Sequence, residues 1–402
     1  MKPSLEVADI FRTFGPAYRE AHQMPLRHLR VMRAIEICRT AELGGHLDQC
    51  DHCGTVRISY NSCRNRHCPK CQCLEKERWL EAREKGLLPT SYFHVVFTLP
   101  EGFRPLALRN QKVIYSLLFK AVSETLTELA RDPKHLGAEI GFMAILHTWS
   151  QTLIHHPHLH CLVTGGGLSL DGKRWLHSRK DFFIPIKVLS SLFRGKFLDG
   201  LRKLYEAGEL TFPGQIEELK ESPVFKRLLT TLYHQEWVVY CKPSLKHSEK
   251  VMDYLGRYTH RVALSNNRLV KLEGNQVTFR WRDSADSNKI KVLTIEAFEF
   301  IRRFLLHVLP EQFVKIRYYG ILSHRSRKGK LLRCKRLLGG VTREEPEQVP
   351  KETWQDLLTR ITGIDPRICP HCRKGKMIQR DVLAPCSTSL EDNNLPAGGC
   401  PP

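Results

Sequence analysis

The amino-acid sequence predicts an α+β protein, on the strength of three observations. Residues 91–99 are β-branched and aromatic, as in a central strand. Residues 103–131 repeat apolar side chains three and four positions apart, which is typical of a long amphipathic helix. Residues 141–147 and 158–164 have the pattern of two further strands, and the loop 148–157 would allow them to pair antiparallel.

The composition indicates a protein that binds nucleic acid and does not enter a membrane. The 402 residues include 63 Lys+Arg and 42 Asp+Glu, and the resulting net charge of +21 attracts a polyanion. No apolar run is long enough to cross a bilayer, and charged residues interrupt the apolar runs of segment 1–22, so we expect no signal peptide. The 14 cysteines are therefore expected to be reduced, in a cytoplasmic protein.

Segment 46–75 is predicted to be a small zinc-binding module. Its four predicted ligands form two C-x-x-C pairs: Cys50, Cys53, Cys68 and Cys71. Thiolates are soft ligands and suit tetrahedral Zn²⁺, so a structural zinc ion is the expected occupant. Cys63 and His67 lie between the pairs, and either replace one of the four ligands or begin a second site.

A third C-x-x-C pair, Cys369 and Cys372, lies near the end of the chain. Only Cys386 and Cys400 follow it, so the sequence shows half of a further zinc site there. The tail from Ala384 is rich in Pro, Ser, Asn and Gly, and we expect it to be disordered.

His158 and His160 are predicted to form the first half of a second kind of metal site. They lie two apart on a strand and therefore on one face of it. If strands 141–147 and 158–164 pair symmetrically about their loop, His147 lies opposite His158 and the three imidazoles converge. A residue from the tyrosine-bearing helix that follows is the alternative third ligand.

The helix predicted over 248–258 carries Tyr254 and Tyr258, which lie four positions apart and so on one face. Three cationic side chains lie around this pair: Arg257, His260 and Arg261. Two more cations, Arg64 and Arg66, lie among the cysteines. We expect these five side chains to contact DNA phosphates.

In order along the chain, these motifs resemble the HUH endonuclease superfamily, and within it the two-tyrosine, rolling-circle transposases of insertion sequences. The resemblance is carried by the cysteine segment 62–71, by His158-Leu159-His160 and by segment 254–261, and it covers roughly residues 40–335. It implies a central antiparallel sheet flanked by helices. It also implies a bacterial cytoplasmic protein that is associated with the nucleoid when bound to DNA.

The resemblance implies a reaction as well. The histidines would hold Mg²⁺ or Mn²⁺, which would polarise the scissile phosphate. One tyrosine would attack the phosphorus and become linked to the 5′ phosphate, which leaves a free 3′ hydroxyl. A second tyrosine would allow one cut end to be held while the next is cut. The expected activity is nicking and joining of single-stranded transposon ends and target DNA.

We predict four regions: a helical segment 1–45, the zinc module 46–75, a catalytic domain 88–335 with a helical insertion at about 186–234, and a C-terminal region 336–402. Two other functions stay open at this point. A plasmid relaxase or replication initiator would use the same chemistry, although the zinc module and the lack of a G-x-x-x-x-G-K-[ST] motif argue against it. A non-enzymatic zinc protein that binds DNA would use the histidines structurally.

Overall fold

The computed structural model describes residues 5–84, 86–179, 183–245, 251, 256, 263–283, 285–339 and 352–386. Within these residues, helices mix with antiparallel strands, which confirms the predicted α+β class. No helix in this part of the chain is both long enough and apolar enough to span a membrane.

The described helices lie mainly where the apolar pattern predicts them. Their bounds are Val7–Ala21, Leu26–Glu36, Gln72–Glu84, Arg104–Arg109, Gln111–Arg131, Ile186–Glu206, Ser222–His234, Ala297–Leu305, Leu332–Leu337 and Trp354–Thr362. The helix Trp354–Thr362 has a complete capping box, in which Thr353 accepts from the backbone N–H of Asp356.

The strands are numbered here in chain order. They are β1 (Gly45–Cys50), β2 (Val56–Tyr60), β3 (Tyr92–Thr98), β4 (Ala138–Trp149), β5 (His155–Ser169), β6 (Trp175–His177), β7 (Val239–Leu245), β8 (Leu269–Glu273), β9 (Gln276–Asp283), β10 (Lys289–Glu296), β11 (Ile316–Gly320) and β12 (Met377–Leu383).

The chain forms two compact units, and both are discontinuous in sequence. The cysteine unit contains Met1–Arg78, His260–Arg302 and Pro346–Pro402, and the sheet unit contains Trp79–Thr259 and Arg303–Glu345. This division differs from the predicted one, in which 336–402 is a separate region. The physical reason is that β12 pairs antiparallel with β1, so the end of the chain is built into the fold of its beginning.

The sheet unit is organised on a six-stranded sheet. Its strand order is β11-β4-β5-β3-β7, with β6 paired to β5, and each of these described pairings is antiparallel. The long strands β4 and β5 form the central hairpin. Their register places His147 directly opposite His158, as the symmetric pairing predicts.

One face of this sheet carries the main hydrophobic core. Side chains of β3, β4 and β5 that alternate along each strand, such as Phe97, Leu146 and Leu159, pack there against the helix Gln111–Arg131. The helices Ile186–Glu206 and Ser222–His234 join the same core. The predicted insertion at 186–234 is therefore a structural layer of the domain, because its phenylalanines are needed to cover the sheet.

In the cysteine unit, the first two helices form a hairpin. Although glycine followed by proline often ends a helix, the helix Val7–Ala21 continues through Gly15 and Pro16. Gly15 instead allows the two helices to approach closely: a Cβ atom there would lie 2.8 Å from Glu36 Oε1. Glu36 is buried and pairs with Arg19 at 2.6 Å, so the hairpin is closed by an ion pair beside the glycine.

Two three-stranded antiparallel sheets complete the cysteine unit. One has the order β12-β1-β2 and the other the order β10-β9-β8. The second sheet consists of two successive hairpins, formed by β8 with β9 and by β9 with β10. Val277 and Phe279 of β9 are fully buried, and Phe279 lies edge-on against Phe300 of the helix Ala297–Leu305.

Gly320, at the end of β11, provides a test of how tightly β11 is fixed to β4. Its φ is +58°, and a Cβ atom would lie 1.9 Å from the carbonyl oxygen of Ile140. Gly208 also has a positive φ, of +68°, but a Cβ atom there would meet nothing within 4 Å. We expect Gly208→Ala to cost about 1 kcal/mol through backbone strain, and Gly320→Ala to cost about 1–3 kcal/mol more through overpacking.

Urea unfolding of the two full-length variants, followed by the near-UV signal, measures this difference. Equal free energies of unfolding for Gly320→Ala and Gly208→Ala would contradict the close packing of β11 on β4.

Candidate metal centres

The three histidines predicted from the hairpin register lie together in the structure. Ligand nitrogens of His147, His158 and His160 are all within 4.8 Å of one another. His147 and His160 are buried, whereas His158 is partly exposed, so the group is open on one side. The Nε2 atoms of His158 and His160 are 3.1 Å apart. Two imidazoles at right angles around an ion, with bonds of about 2.1 Å, would be separated by about 3 Å, so the arrangement fits a shared metal ion.

Hydrogen bonds orient His158 and His160, the two histidines on β5. The Nδ1–H of His158 donates to the carbonyl oxygen of His156 at 2.7 Å, which leaves Nε2 as the nitrogen available for an ion. The Nδ1 atom of His160 lies 2.9 Å from Nε2 of His94, and its Nε2 likewise faces the group. Partners of this kind fix the tautomer and the ring orientation of a metal ligand. His147 is held by stacking on Trp149, with ring centroids 4.6 Å apart.

His94 was not identified from the sequence. It lies on β3, where it is paired with Leu162, and so it is a diagonal neighbour of His160. Burial lowers the pKa of His94 to about 3, with further contributions from Lys242 and His158. The imidazole is therefore neutral near pH 7 and can accept a hydrogen bond. The available signal was a histidine in a strand whose other residues, apart from Thr98, are apolar or aromatic.

Two further histidines, His155 and His307, hold the loop between β4 and β5 in place through hydrogen bonds. His155 Nε2 lies 2.7 Å from the hydroxyl of Tyr115, and the carbonyl oxygen of His155 accepts from Arg104 at 3.0 Å. His307 lies between Thr148 Oγ1, at 3.2 Å, and the carbonyl oxygen of Leu153, at 3.1 Å. These contacts immobilise both ends of the loop, and thus the ends of the strands that carry the three clustered histidines.

The same sheet face continues as an apolar cluster beside the histidines. Tyr92, Met143, Ile145 and Leu162 alternate with the main-core residues and therefore share the face of His147 and His160. Val251 is buried in this cluster. The predicted nucleophiles and their neighbours lie outside the described residues: Tyr254, Tyr258, Arg257, His260 and Arg261.

Four cysteines of the cysteine unit form a group that we call the N-terminal cluster. Its members are Cys38, Cys63, Cys68 and Cys71. Cys71 Sγ lies 3.6 Å from both Cys38 Sγ and Cys63 Sγ. Cys38 was missed in the sequence because it lies in the turn after the helix Leu26–Glu36, far from any C-x-x-C pair.

Four other cysteines form a group that we call the joint cluster. Its members are Cys50, Cys53, Cys369 and Cys372. The hydroxyl of Thr55 lies 3.2 Å from Cys53 Sγ, and hydrogen bonding from this residue lowers the pKa of the Cys53 thiol to about 5. A lowered pKa favours the thiolate, the form that binds metals.

The predicted grouping of Cys50, Cys53, Cys68 and Cys71 in one site is corrected by this arrangement. The two C-x-x-C pairs belong to different clusters, because β1 and β2 separate them and β12 brings the third pair to the first. Cys63 belongs to the N-terminal cluster, together with Cys68 and Cys71. His67 belongs to neither cluster among the described residues, and its backbone N–H donates to Asn65 at 2.9 Å.

The two arginines predicted to contact DNA lie on the loop of the N-terminal cluster. Arg64 is exposed and has a φ of +52°, so its backbone turns sharply beside Cys63. Arg66 is partly buried, and burial lowers the pKa of its guanidinium. Both therefore lie on the loop that the cysteines would hold rigid.

Two family models match the chain, and both describe transposases. A "Transposase zinc-binding domain" matches residues 10–99, which contain the N-terminal cluster and half of the joint cluster. A "Putative transposase" model matches residues 141–330, which contain the three clustered histidines. The molecule is thus a transposase in which a zinc-binding domain accompanies an α+β sheet domain.

Two relatives define the family more closely. "Putative transposase y4qJ" of Sinorhizobium fredii is 53% identical over 380 residues, which are 94% of this chain and 95% of the relative. "Transposase for insertion sequence element IS801" of Pseudomonas savastanoi pv. phaseolicola is 26% identical over 351 residues, which are 83% and 79% of the two chains. The chain belongs to this family of rolling-circle insertion-sequence transposases, as the resemblance implied.

The contact between His94 and His160 leads to a prediction about metal affinity. Removing the hydrogen-bond partner of a metal ligand typically weakens binding by about 10–100-fold. We expect this loss of Mn²⁺ affinity for His94→Ala, because the ring of His160 would no longer be oriented. Titration calorimetry on the full-length protein measures it, and Mn²⁺ does not compete for thiolate sites.

His156→Ala is the matched control, since it removes a ring whose centroid lies 5.3 Å from that of His158 but keeps the backbone carbonyl that accepts the hydrogen bond from His158. It should bind Mn²⁺ like the unmodified protein, and His94→Gln should retain more affinity than His94→Ala. If His94→Ala binds with unchanged affinity, His94 does not position His160.

Proposed function

We propose that this transposase nicks and joins single-stranded DNA at transposon ends through a tyrosine–DNA intermediate, with His147, His158 and His160 holding a divalent cation. The observation that carries the proposal is the convergence of these three imidazoles, within 4.8 Å, on one face of the sheet, where His158 is partly exposed. Bound there, Mg²⁺ or Mn²⁺ would draw charge from the non-bridging oxygens of the scissile phosphate.

Two of the histidine rings are already oriented by hydrogen bonds, as metal ligands usually are. His158 and His160, the two histidines on β5, each have Nδ1 engaged by a fixed partner, so that Nε2 faces the common centre. The core histidine His307 differs, because both of its ring nitrogens are engaged, by Thr148 and by the carbonyl oxygen of Leu153, and neither faces a common centre. The rigid hairpin keeps the three rings aligned without a substrate, which limits the reorganisation needed at the moment of reaction.

Tyr254 and Tyr258 are the proposed nucleophiles. In the helix predicted over 248–258, positions 254 and 258 lie three and seven residues after Val251 and share its face. Val251 is buried on the histidine-bearing face of the sheet. The burial of Val251 supports a location of the predicted helix near the histidines. From there, a phenol could reach a phosphate beside them.

The proposed step is a transesterification. The tyrosine oxygen forms a bond to phosphorus, the bond from phosphorus to the 3′ oxygen breaks, and that oxygen takes up a proton as a free hydroxyl. The phenol must lose its proton, and because its ordinary pKa is near 10, cations are needed to stabilise the phenolate. Arg257, His260 and Arg261 are proposed for this role. Rejoining reverses the step, so that no nucleotide cofactor is consumed.

Basic side chains are proposed to hold the DNA through its phosphates. A net charge of +21 supports phosphate contacts, and Arg64 lies exposed on the cysteine loop. The names of both relatives favour transposition over a plasmid relaxase or replication initiator with similar chemistry.

Covalent trapping of DNA tests the tyrosines. The full-length protein is incubated with Mg²⁺ and single-stranded oligonucleotides from the two ends of its transposon. We expect a covalent adduct, and a loss of about 10³-fold or more in its rate of formation for the double variant Tyr254→Phe/Tyr258→Phe, since nothing replaces the nucleophile. Mass spectrometry of the adduct identifies the modified residue.

Tyr233→Phe is the control, because the Tyr233 side chain is 53% exposed and lies on the helix Ser222–His234, which covers the opposite face of the sheet. It should form the adduct at the normal rate. Adduct formation by the double variant would show that the proposed nucleophiles are wrong.

Metal dependence tests the histidines separately. EDTA should abolish the adduct, and added Mg²⁺ or Mn²⁺ should restore it in the unmodified protein but not in His158→Ala/His160→Ala. Binding of the same oligonucleotides, measured by fluorescence anisotropy, should persist in both cases, because phosphate contacts do not require the ion. Cleavage by the histidine variant at the normal rate would instead favour a structural role for the histidines.

A further inference from the structure

The joint cluster unites cysteines from the two ends of the chain. Cys50 Sγ lies 3.7 Å from Cys372 Sγ, and Cys53 Sγ lies 3.7 Å from Cys369 Sγ. These partners are 322 and 316 residues apart in sequence. The zinc-binding family model covers residues 10–99, and so contains only the first pair.

We propose that the joint cluster binds a Zn²⁺ ion of its own, separate from one in the N-terminal cluster, and thereby fastens segment 365–383 to the zinc-binding domain. The resulting protein holds two structural zinc ions. This inference concerns the cysteine unit alone and does not depend on the proposed function of the histidines or tyrosines.

The separations of the sulfur atoms match a tetrahedral zinc site. With Zn–S bonds of about 2.3 Å, two ligands at a tetrahedral angle are about 3.8 Å apart. The observed 3.7 Å agrees with this value. It is far from the roughly 2.05 Å of a disulfide, so these pairs are not oxidised cysteines. Cys53 is exposed, which apolar packing of free thiols does not explain.

Backbone amides around the sulfurs provide a second, independent indication. The N–H groups of His52 and Cys53 point to Cys50 Sγ at 3.4 and 3.5 Å, and the N–H of Gly375 points to Cys372 Sγ at 3.4 Å. Donors of this kind stabilise the thiolate form, which is the form that binds metal. The same device is present in both halves of the site, although the halves lie at opposite ends of the chain.

The backbone of the C-terminal half is fitted to the N-terminal half. Asp51 and Lys376 exchange two hydrogen bonds: the Asp51 N–H donates to the Lys376 carbonyl at 3.1 Å, and the Lys376 N–H donates to Asp51 Oδ1 at 2.7 Å. A Cβ atom on Gly375 would lie 2.5 Å from Cys50 Sγ, so only glycine permits this approach. Arg57 adds a hydrogen bond to the carbonyl oxygen of Pro366 at 3.2 Å.

These contacts make the domain dependent on its distant partner. Strand β1 lies between β2 and β12, so without segment 365–383 it would lose one of its two neighbouring strands. The joint cluster would lose two of its four cysteines. Binding energy for a structural zinc ion is folding energy when the site exists only in the folded chain. The ion therefore stabilises the closed arrangement of both ends.

Zinc released by a thiol-specific mercurial from the full-length protein counts the cysteine-bound ions, and it excludes any ion held by the histidines. We expect two zinc ions per chain. Cys369→Ser/Cys372→Ser and Cys50→Ser/Cys53→Ser should each release one, and the quadruple variant should also release one, because all four ligands belong to a single site. Cys386→Ser/Cys400→Ser is the control and should release two.

Other counts would overturn the proposal. Two ions from Cys369→Ser/Cys372→Ser would show that the C-terminal pair is not a ligand. No ion from the quadruple variant would show that the pairs belong to more than one site.

Alkylation of cysteines by iodoacetamide, measured by mass spectrometry, distinguishes the loss of one metal site from misfolding of the variant. In Cys50→Ser/Cys53→Ser we expect Cys369 and Cys372 to lose their protection while Cys68 and Cys71 keep theirs. Continued protection of Cys369 and Cys372 would contradict a shared site. Loss of protection at Cys68 and Cys71 as well would contradict two separate clusters.

Discussion

The antiparallel register between β4 and β5 is the constraint on which the sheet unit depends. It places His147 opposite His158, and a shift by one residue would turn His158 and His160 to the opposite face of the sheet. The register is fixed by apolar side chains that alternate between the clusters on the two faces of the sheet, and by the loop, where His155 and His307 hold the chain through Tyr115, Thr148 and Leu153. The position of the three imidazoles therefore follows from apolar packing and loop hydrogen bonds, before any metal ion is present.

The two faces of the sheet carry different groups of residues. One face is covered by helices from 111–131, 186–206 and 222–234, which bury a continuous core and make the platform rigid. The other face carries the histidines together with a smaller apolar cluster that includes Val251. A rigid layer behind the histidines suits a site that must hold its ligands in place.

The cysteine unit uses a different means of stabilisation. Its two sheets have only three strands each, and ion pairs and the two groups of converging cysteines link its segments in addition to apolar packing. The joint cluster and the pairing of β12 with β1 link residues more than 300 positions apart. With this link, the domain is completed only when residues up to about 383 have been synthesised, whereas the N-terminal cluster needs only local sequence.

By itself, the sequence determined the features whose signals are local. Periodicity predicted the α+β class and the main helices, the symmetric loop predicted His147, and the spacing of C-x-x-C pairs predicted thiolate sites. Only the tertiary structure decided how those pairs combine, that Cys38 takes part, and that His94 supports His160. These contacts join elements distant in sequence, and their formation depends on strand pairing and helix packing that no local pattern records. For the same reason, the helices at 186–234 looked like an insertion in the sequence, although the fold uses them to complete its core.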